Sequence, residues 1–182
     1  MTAKDAIDRV CSALRQRSSL VLTTHRDPDG DGLGSEAALA EALTSLGKRV
    51  TVVNSDPVPA RYRFLAGADA FLTYDPVKHR DLFSSVEALV LLDAALPGRT
   101  GAMEDALSAF GGTTIVIDHH QVGGWAAVDL IDARVSATAE LVYVVIQALG
   151  VPLTQTMAEA LYTGLAFDTQ NFSTASTTSR VW

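Results

Sequence analysis

A single cysteine, Cys11, rules out a disulfide within the chain. It falls on the apolar stripe of a predicted helix and reads as a small core residue. Aromatic residues make up only 7% of the chain, and 14 Lys and Arg face 21 Asp and Glu. The resulting formal charge of -7 excludes a broad, non-specific grip on nucleic acid, which needs a basic surface. It does not exclude a small nucleotide held through metal ions. The strongest apolar stretch, Leu141 to Leu153, is interrupted by Gln147, Gly150 and Pro152, so it is too short to span a bilayer. Lys4, Asp5 and Asp8 precede any apolar run, unlike a secretory signal. There is no internal repeat, low-complexity tract or clear interdomain linker. What remains is one domain over residues 1–182, 48% hydrophobic, expected to be soluble and in a reducing, cytoplasmic compartment.

The most unusual stretch is His25-Arg26-Asp27-Pro28-Asp29-Gly30-Asp31-Gly32, which follows the apolar Leu20-Val21-Leu22. Several carboxylates crowd into a turn that Pro28 and Gly30 permit. Such a cluster repels itself, and bound cations are the obvious compensation. Asp29 and Asp31 can point the same way from a locally extended backbone, and His25 can add a nitrogen ligand. A mixed imidazole and carboxylate set suits Mn, Fe, Co or Zn better than an all-oxygen Mg or Ca site. Two other patterns compete. The aspartates match the first half of an EF-hand loop, but its twelfth position is Ala38 and Glu36 is out of step. Gly30-x-Gly32-x-x-Ser35 approaches a dinucleotide fingerprint, but Asp29 and Asp31 would repel a pyrophosphate.

Helices are expected over residues 4–17, 34–46, 103–110, 138–149 and 154–167, the last with Thr154 as N-cap. Strands are expected at Ser19–Thr24, Arg49–Val53, Val86–Leu92, Thr113–Ile117 and Val128–Ile131. Residues 54–68 read as a loop with one short helix, 69–85 are weakly patterned, and His79 reads as a solvated surface residue. The alternation implies an α/β fold, a largely parallel sheet with helices on both faces. Ligands then bind at the carboxyl ends of the strands. Here His25 closes the first strand, Asp93 closes Ala88–Leu92, and Asp118-His119-His120 closes Thr113–Ile117. If those strands are parallel neighbours, all three reach one edge. Asp168 ends a predicted helix, where the dipole disfavours an anion and a cation would favour it. An exposed turn aspartate is the plainer explanation for Asp168. A turn cap beside two surface histidines would likewise explain Asp118-His119-His120 taken alone.

His25, Asp29, Asp31, Asp93, His119 and Asp168, with Asp118 and His120 beside them, exceed the needs of one tetrahedral metal. They suit a metal pair roughly 3.5–4 Å apart, the arrangement of phosphoester hydrolysis, with central Asp93 as the bridge. Such a site needs no serine or cysteine nucleophile, and the G-x-S-x-G pattern is absent around Ser35.

His25-Arg26-Asp27-Pro28-Asp29-Gly30-Asp31, Asp93, Asp118-His119-His120 and Asp168-Thr169, in this order and spacing, resemble the DHH phosphoesterase superfamily. The resemblance is nearest to the branch of oligoribonucleases and phosphoadenosine-phosphate phosphatases, which also includes cyclic-dinucleotide phosphodiesterases. It implies two divalent metal ions, manganese first among them. His25, Asp29 and Asp93 would hold one, and Asp31, Asp93, His119 and Asp168 the other. His120 would lie by the scissile phosphate, with Asp118 orienting the imidazoles from behind. Arg99 is a candidate phosphate contact, equally readable as a surface arginine. The expected partner is a small nucleotide or short RNA, with no membrane and no long duplex; a homo-oligomer is compatible with this.

The chain departs from that branch at Asp27 (often Asn), Gly32 (commonly Ala) and Gln170 (usually Gly). The branch also carries a C-terminal substrate-binding domain with a glycine-rich, histidine-containing loop, which is not expected within residues 1–182. Residues 1–182 are therefore expected to be the DHH-type catalytic domain alone. Two further outcomes stay open: a pyrophosphatase of the same superfamily, or a non-catalytic metal- or nucleotide-binding remnant.

Overall fold

Leu20-Val21-Leu22 and Ala88–Leu92 carry no polar alternation because both of their faces are covered. Leu20, Leu22, Ala88, Val90 and Leu92 face one core, while Val21, Leu89 and Leu91 face a second. The computed structural model describes residues 2–121, 123–175 and 177–181. In chain order its elements are α1 (Ala3–Arg15), β1 (Ser19–Thr23), α2 (Gly30–Ser45), β2 (Arg49–Asn54), β3 (Leu72–Thr73) and β4 (Ala88–Leu92). They continue with α3 (Glu104–Ser108), β5 (Thr113–Asp118), β6 (Val128–Ile131), α4 (Thr138–Leu149) and α5 (Gln155–Asp168).

The six strands form one sheet in the order β3-β2-β1-β4-β5-β6, and every pairing is parallel. The expected α/β class holds. Chain direction across the sheet reverses between β1 and β4, the position where open sheets leave a crevice at their carboxyl edge. Registers level the site residues there. Thr23 pairs with Leu91 and Leu92 with Ile117, so His25 and Asp93 each lie two residues past one pair, and Asp118 is level with Asp93. Side chains from α1, α2, α4 and α5 fill the larger core. The smaller one is closed by Met103 and Leu107 of the α3 region and by half-buried residues such as Tyr74, Phe83 and Trp125. Helices thus cover both faces, but unequally. Among the described residues no helix is long and apolar enough to cross a membrane.

Local chemistry sets the ends of the elements. Thr2 and Asp5 form a capping box at α1, and Thr154 caps α5 through the Met157 N–H as expected. Cys11 is buried in the larger core. Strand β3 was not legible because two exposed residues carry no pattern. His79 is half-buried rather than solvated: its Nδ1 accepts the Asp75 N–H at 3.0 Å and its ring stacks on Tyr74.

The main correction concerns α2, which starts at Gly30 rather than residue 34. Asp29 is therefore the N-cap, and Asp31 lies in the first helical turn instead of on extended backbone. Gly30, Gly32 and Gly34 discourage a helix by propensity, but packing requires them. A Cβ on Gly32 would strike the Thr24 hydroxyl, and one on Gly34 would strike the Ala160 carbonyl of α5. This helix also removes the EF-hand reading, and Asp29 occupies the N-terminal amides that a pyrophosphate would need.

Gly34→Ala gains helix propensity of about 1 kcal/mol but must push α2 and α5 apart. We expect a net loss of about 1–3 kcal/mol, the usual cost of overpacking. Thermal unfolding checks this, and an unchanged or raised melting temperature would contradict the close α2–α5 contact.

Candidate metal centre

His25, two residues beyond β1, donates from Nδ1 to the Arg26 carbonyl at 2.6 Å, which leaves Nε2 to face Asp29 Oδ2 at 3.3 Å and Asp93 Oδ2 at 3.4 Å. Asp29 uses its other oxygen to accept the Asp31 and Gly32 N–H groups at the start of α2. One carboxylate thus caps a helix and faces the site. Asp93 has φ 56°, the left-handed region that Asp tolerates better than most residues. That turn away from β4 is the backbone departure that accompanies its central position.

Asp31 is fully buried, and its carboxylate accepts the Thr138 and Ala139 N–H groups at 2.7 and 2.9 Å. The N-terminus of α4, with no side-chain cap of its own, is capped by an aspartate from another helix. Thr138 also donates its hydroxyl to Asp93 Oδ1 at 3.2 Å. Sequence reasoning missed Thr138, whose only signal was a threonine opening an apolar helix. His119 Nε2 lies 3.0 Å from Asp168 Oδ2 and 3.5 Å from Asp93 Oδ1. His120 Nδ1 lies 2.8 Å from Asp118 Oδ1 and 3.4 Å from Asp93 Oδ1. The second Asp118 oxygen accepts the Ala95 N–H at 2.7 Å.

The eight residues named from the sequence therefore converge. They fall into overlapping groups, each able to hold a cation: His25, Asp29 and Asp93; Asp31, His119 and Asp168; and Asp93, Asp118, His119 and His120. Arg99 stands apart. Its side chain is exposed, and only its carbonyl, which accepts the Arg26 N–H at 2.8 Å, ties its turn to the His25 loop.

Charge in this cluster is held by protons shared between carboxylates and imidazoles. Burial opposes an imidazolium at His25, but hydrogen bonds to Asp29 and Asp93 overcome it and push the group up to about 10. His120 rises to about 10 through Asp118 first and Asp93 second. Burial again works against His119, and Asp168, Asp31 and Asp93 raise it. Asp93 is pulled the other way: burial would raise it, but the imidazoles of His120 and His25 hold it well below the usual carboxylate range. Asp31 is raised by burial, then by the charges of Asp93 and Asp168, against the two α4 amides that favour its anion. A buried carboxylate pressed by two others, among imidazoles that present a ring nitrogen, is a donor set suited to cations.

The architecture and the cluster together define an all-parallel α/β domain with a histidine–aspartate cluster, able to hold cations, at its carboxyl edge. The chain belongs to the DHH family: residues 19–165 match the family's N-terminal domain. It is 36% identical over 163 residues to the bifunctional oligoribonuclease and PAP phosphatase NrnA of Thermus thermophilus, covering 89% of this chain and 47% of that protein. A probable bifunctional oligoribonuclease and PAP phosphatase NrnA of Streptococcus mutans is 24% identical, covering 97% and 54%. An exopolyphosphatase-related protein of Bacteroides fragilis superposes with a TM-score of 0.92 at 27% identity, over 98% of this chain and 54% of that one. The exonuclease RecJ bound to manganese shares the fold at a TM-score of 0.55 and 20% identity, over 95% and 43%. The chain spans about half the length of the curated relatives it matches.

The folded state holds protons on His25 and His120 to about 10, against an ordinary value of 6.5. Because the folded value is the higher, this stabilisation is complete below pH 6.5 and is lost as pH rises toward 10. Glu36, raised by burial to about 8, acts in the same direction. The metal-free protein should therefore melt at a lower temperature at pH 9 than at pH 6.5. A divalent cation held by this cluster would flatten that profile, since imidazole and carboxylate ligands bind deprotonated. A metal-free melting temperature that is constant or rises over this range would contradict the proton-sharing cluster.

Proposed function

We propose that this domain is a metal-dependent phosphoesterase acting on short oligoribonucleotides or small phosphorylated nucleotides through two divalent ions, manganese first among them. The observation that carries this reading is the position of Asp93. Its two oxygens are shared between His25 with Asp29 on one side and His119 and His120 on the other. A bridging carboxylate needs that geometry. His25, Asp29 and Asp93 would hold one ion, and Asp31, Asp93, His119 and Asp168 the other. The ions would supply water activation near neutral pH and neutralisation of phosphoryl charge.

The protein groups contribute orientation and protons. The Arg26 carbonyl keeps the His25 proton on Nδ1, which leaves Nε2 as the nitrogen that would hold an ion. The α4 amides hold both Asp31 oxygens in a fixed direction. Asp118 holds the His120 proton on Nδ1, which leaves Nε2 as the nitrogen that would lie by the scissile phosphate. Arg99, exposed on a turn tied to the His25 loop through its carbonyl, would be the candidate for a substrate phosphate contact. The relatives' names supply the substrate class: oligoribonucleotides and PAP for the NrnA proteins. A second reading, pyrophosphate or polyphosphate cleavage, is favoured by the similarity to the exopolyphosphatase-related protein.

The test is hydrolysis of a 5′-phosphorylated RNA dinucleotide, PAP and pyrophosphate by this chain, with manganese and with chelator. Manganese-dependent release of mononucleotide from the dinucleotide or of phosphate from PAP is expected. Asp31→Ala and His119→Ala should each lower it by roughly 10²–10³-fold or more. Unchanged rates in both variants would contradict the proposal, and cleavage of pyrophosphate alone would transfer it to the second reading.

A further inference from the structure

Glu36 is fully buried on α2, five residues after Asp31, and forms no ion pair among the described residues. Its Oε2 accepts the Asn54 Nδ2–H at 2.8 Å. Its Oε1 finds no hydrogen-bond partner among the described residues, and neither do the buried hydroxyls of Thr24 and Ser35. A buried carboxyl with an orphaned oxygen costs stability. Its presence beneath the His25 loop therefore calls for another reason.

Asn54 supplies it. The backbone of Asn54 ends β2 and is anchored outward, its carbonyl accepting the Tyr74 N–H at 2.8 Å. Its side chain reaches inward to β1. The β1–β2 ladder ends at Leu22 and Val52, and beyond it Asn54 Oδ1 accepts the Thr24 N–H at 3.0 Å and lies 3.2 Å from the Thr23 hydroxyl. The next residue is His25. Only one amide orientation works. Turned over, the NH₂ of Asn54 would meet the Thr24 N–H and its carbonyl would meet the Glu36 oxygen. The Thr24 N–H and the acceptor on Glu36 together select the productive orientation, and Glu36 holds its far end.

We propose that Glu36 is a positioning residue of the metal centre, fixing the Asn54 amide and, through it, the Thr24 peptide that aims His25. The inference rests on the metal-centre reading and extends it to a residue without contact to metal or substrate. Glu36 ties α2, which carries Asp31, to the end of β1, which carries His25, so both metal groups share one internal reference.

The experiment is manganese titration followed by electron paramagnetic resonance on the wild-type chain and its variants, with melting temperatures measured in chelator. Glu36→Met keeps the volume and removes the acceptor. It should weaken manganese affinity about 10–100-fold, as loss of a ligand-orienting partner does. Its metal-free melting temperature should change little, since relief of the unsatisfied carboxyl offsets the Asn54 amide left without its acceptor. Glu36→Gln, which keeps an acceptor carbonyl, should stay near wild type. Asn54→Ala makes the same lesion by a second route, and adding Glu36→Met to it should cost little more affinity. Wild-type affinity in Glu36→Met, or an equal loss with and without Asn54, would overturn the proposal. A wild-type chain that binds no manganese would overturn the metal-centre reading itself.

Discussion

Four carboxylates, those of Asp29, Asp31, Asp93 and Asp168, converge at the carboxyl edge of the sheet, Asp31 and Asp93 buried and Asp29 and Asp168 half-buried. Their mutual repulsion is the constraint to which the surrounding structure responds. Each is compensated from a different direction. Asp29 spends one oxygen on the first amides of α2. Asp31 takes the first amides of α4. Asp93 lies between imidazoles and takes the Thr138 hydroxyl, while Asp168 faces His119. Two helix N-termini and three histidines thus do in part what a cation does fully. The helices are oriented by the charges as much as the charges by the helices, because α4 has no side-chain cap of its own.

That dependence explains the close packing of α2 and α5. Asp168 ends α5 and must reach the same volume as Asp31 at the start of α2. Gly34 lies against the Ala160 carbonyl, and a Cβ on Gly164 would press on Asp31 Oδ1 at 2.7 Å. Small residues in these helices are therefore part of the metal centre's geometry, although none contributes a ligand. Packing this close costs helix propensity in α2, and burial of α2 against α4 and α5 offsets it.

Contacts between elements far apart in the chain divide what was legible in the sequence from what was not. Apolar runs that end in His25, Asp93 and Asp118 announced parallel strands delivering polar groups to one edge. This required only the preference of parallel sheets for full burial. The beginning of α2 was illegible because three glycines in five residues lower propensity, whereas their reason, contact with Thr24 and α5, is tertiary. Strand β3 was too short to show a period, and the smaller core, built on β1, β2, β4 and β5, is closed over largely by irregular segments. At the centre, the charged residues could be named because clustered carboxylates are conspicuous. Thr138, Glu36 and Asn54 could not, since a lone polar residue in a helix or at a strand end has no distinguishing pattern until its partner across the fold is known.

Under the proposed function, this cluster would hold two divalent ions with Asp93 as their shared ligand. The most direct measurement is anomalous diffraction at the manganese edge from crystals grown with manganese. Two peaks roughly 3.5–4 Å apart are expected, as in other paired-metal hydrolytic sites, one beside His25 and Asp29 and one beside Asp31, His119 and Asp168. A single peak, or two peaks not joined by the Asp93 carboxylate, would contradict the account.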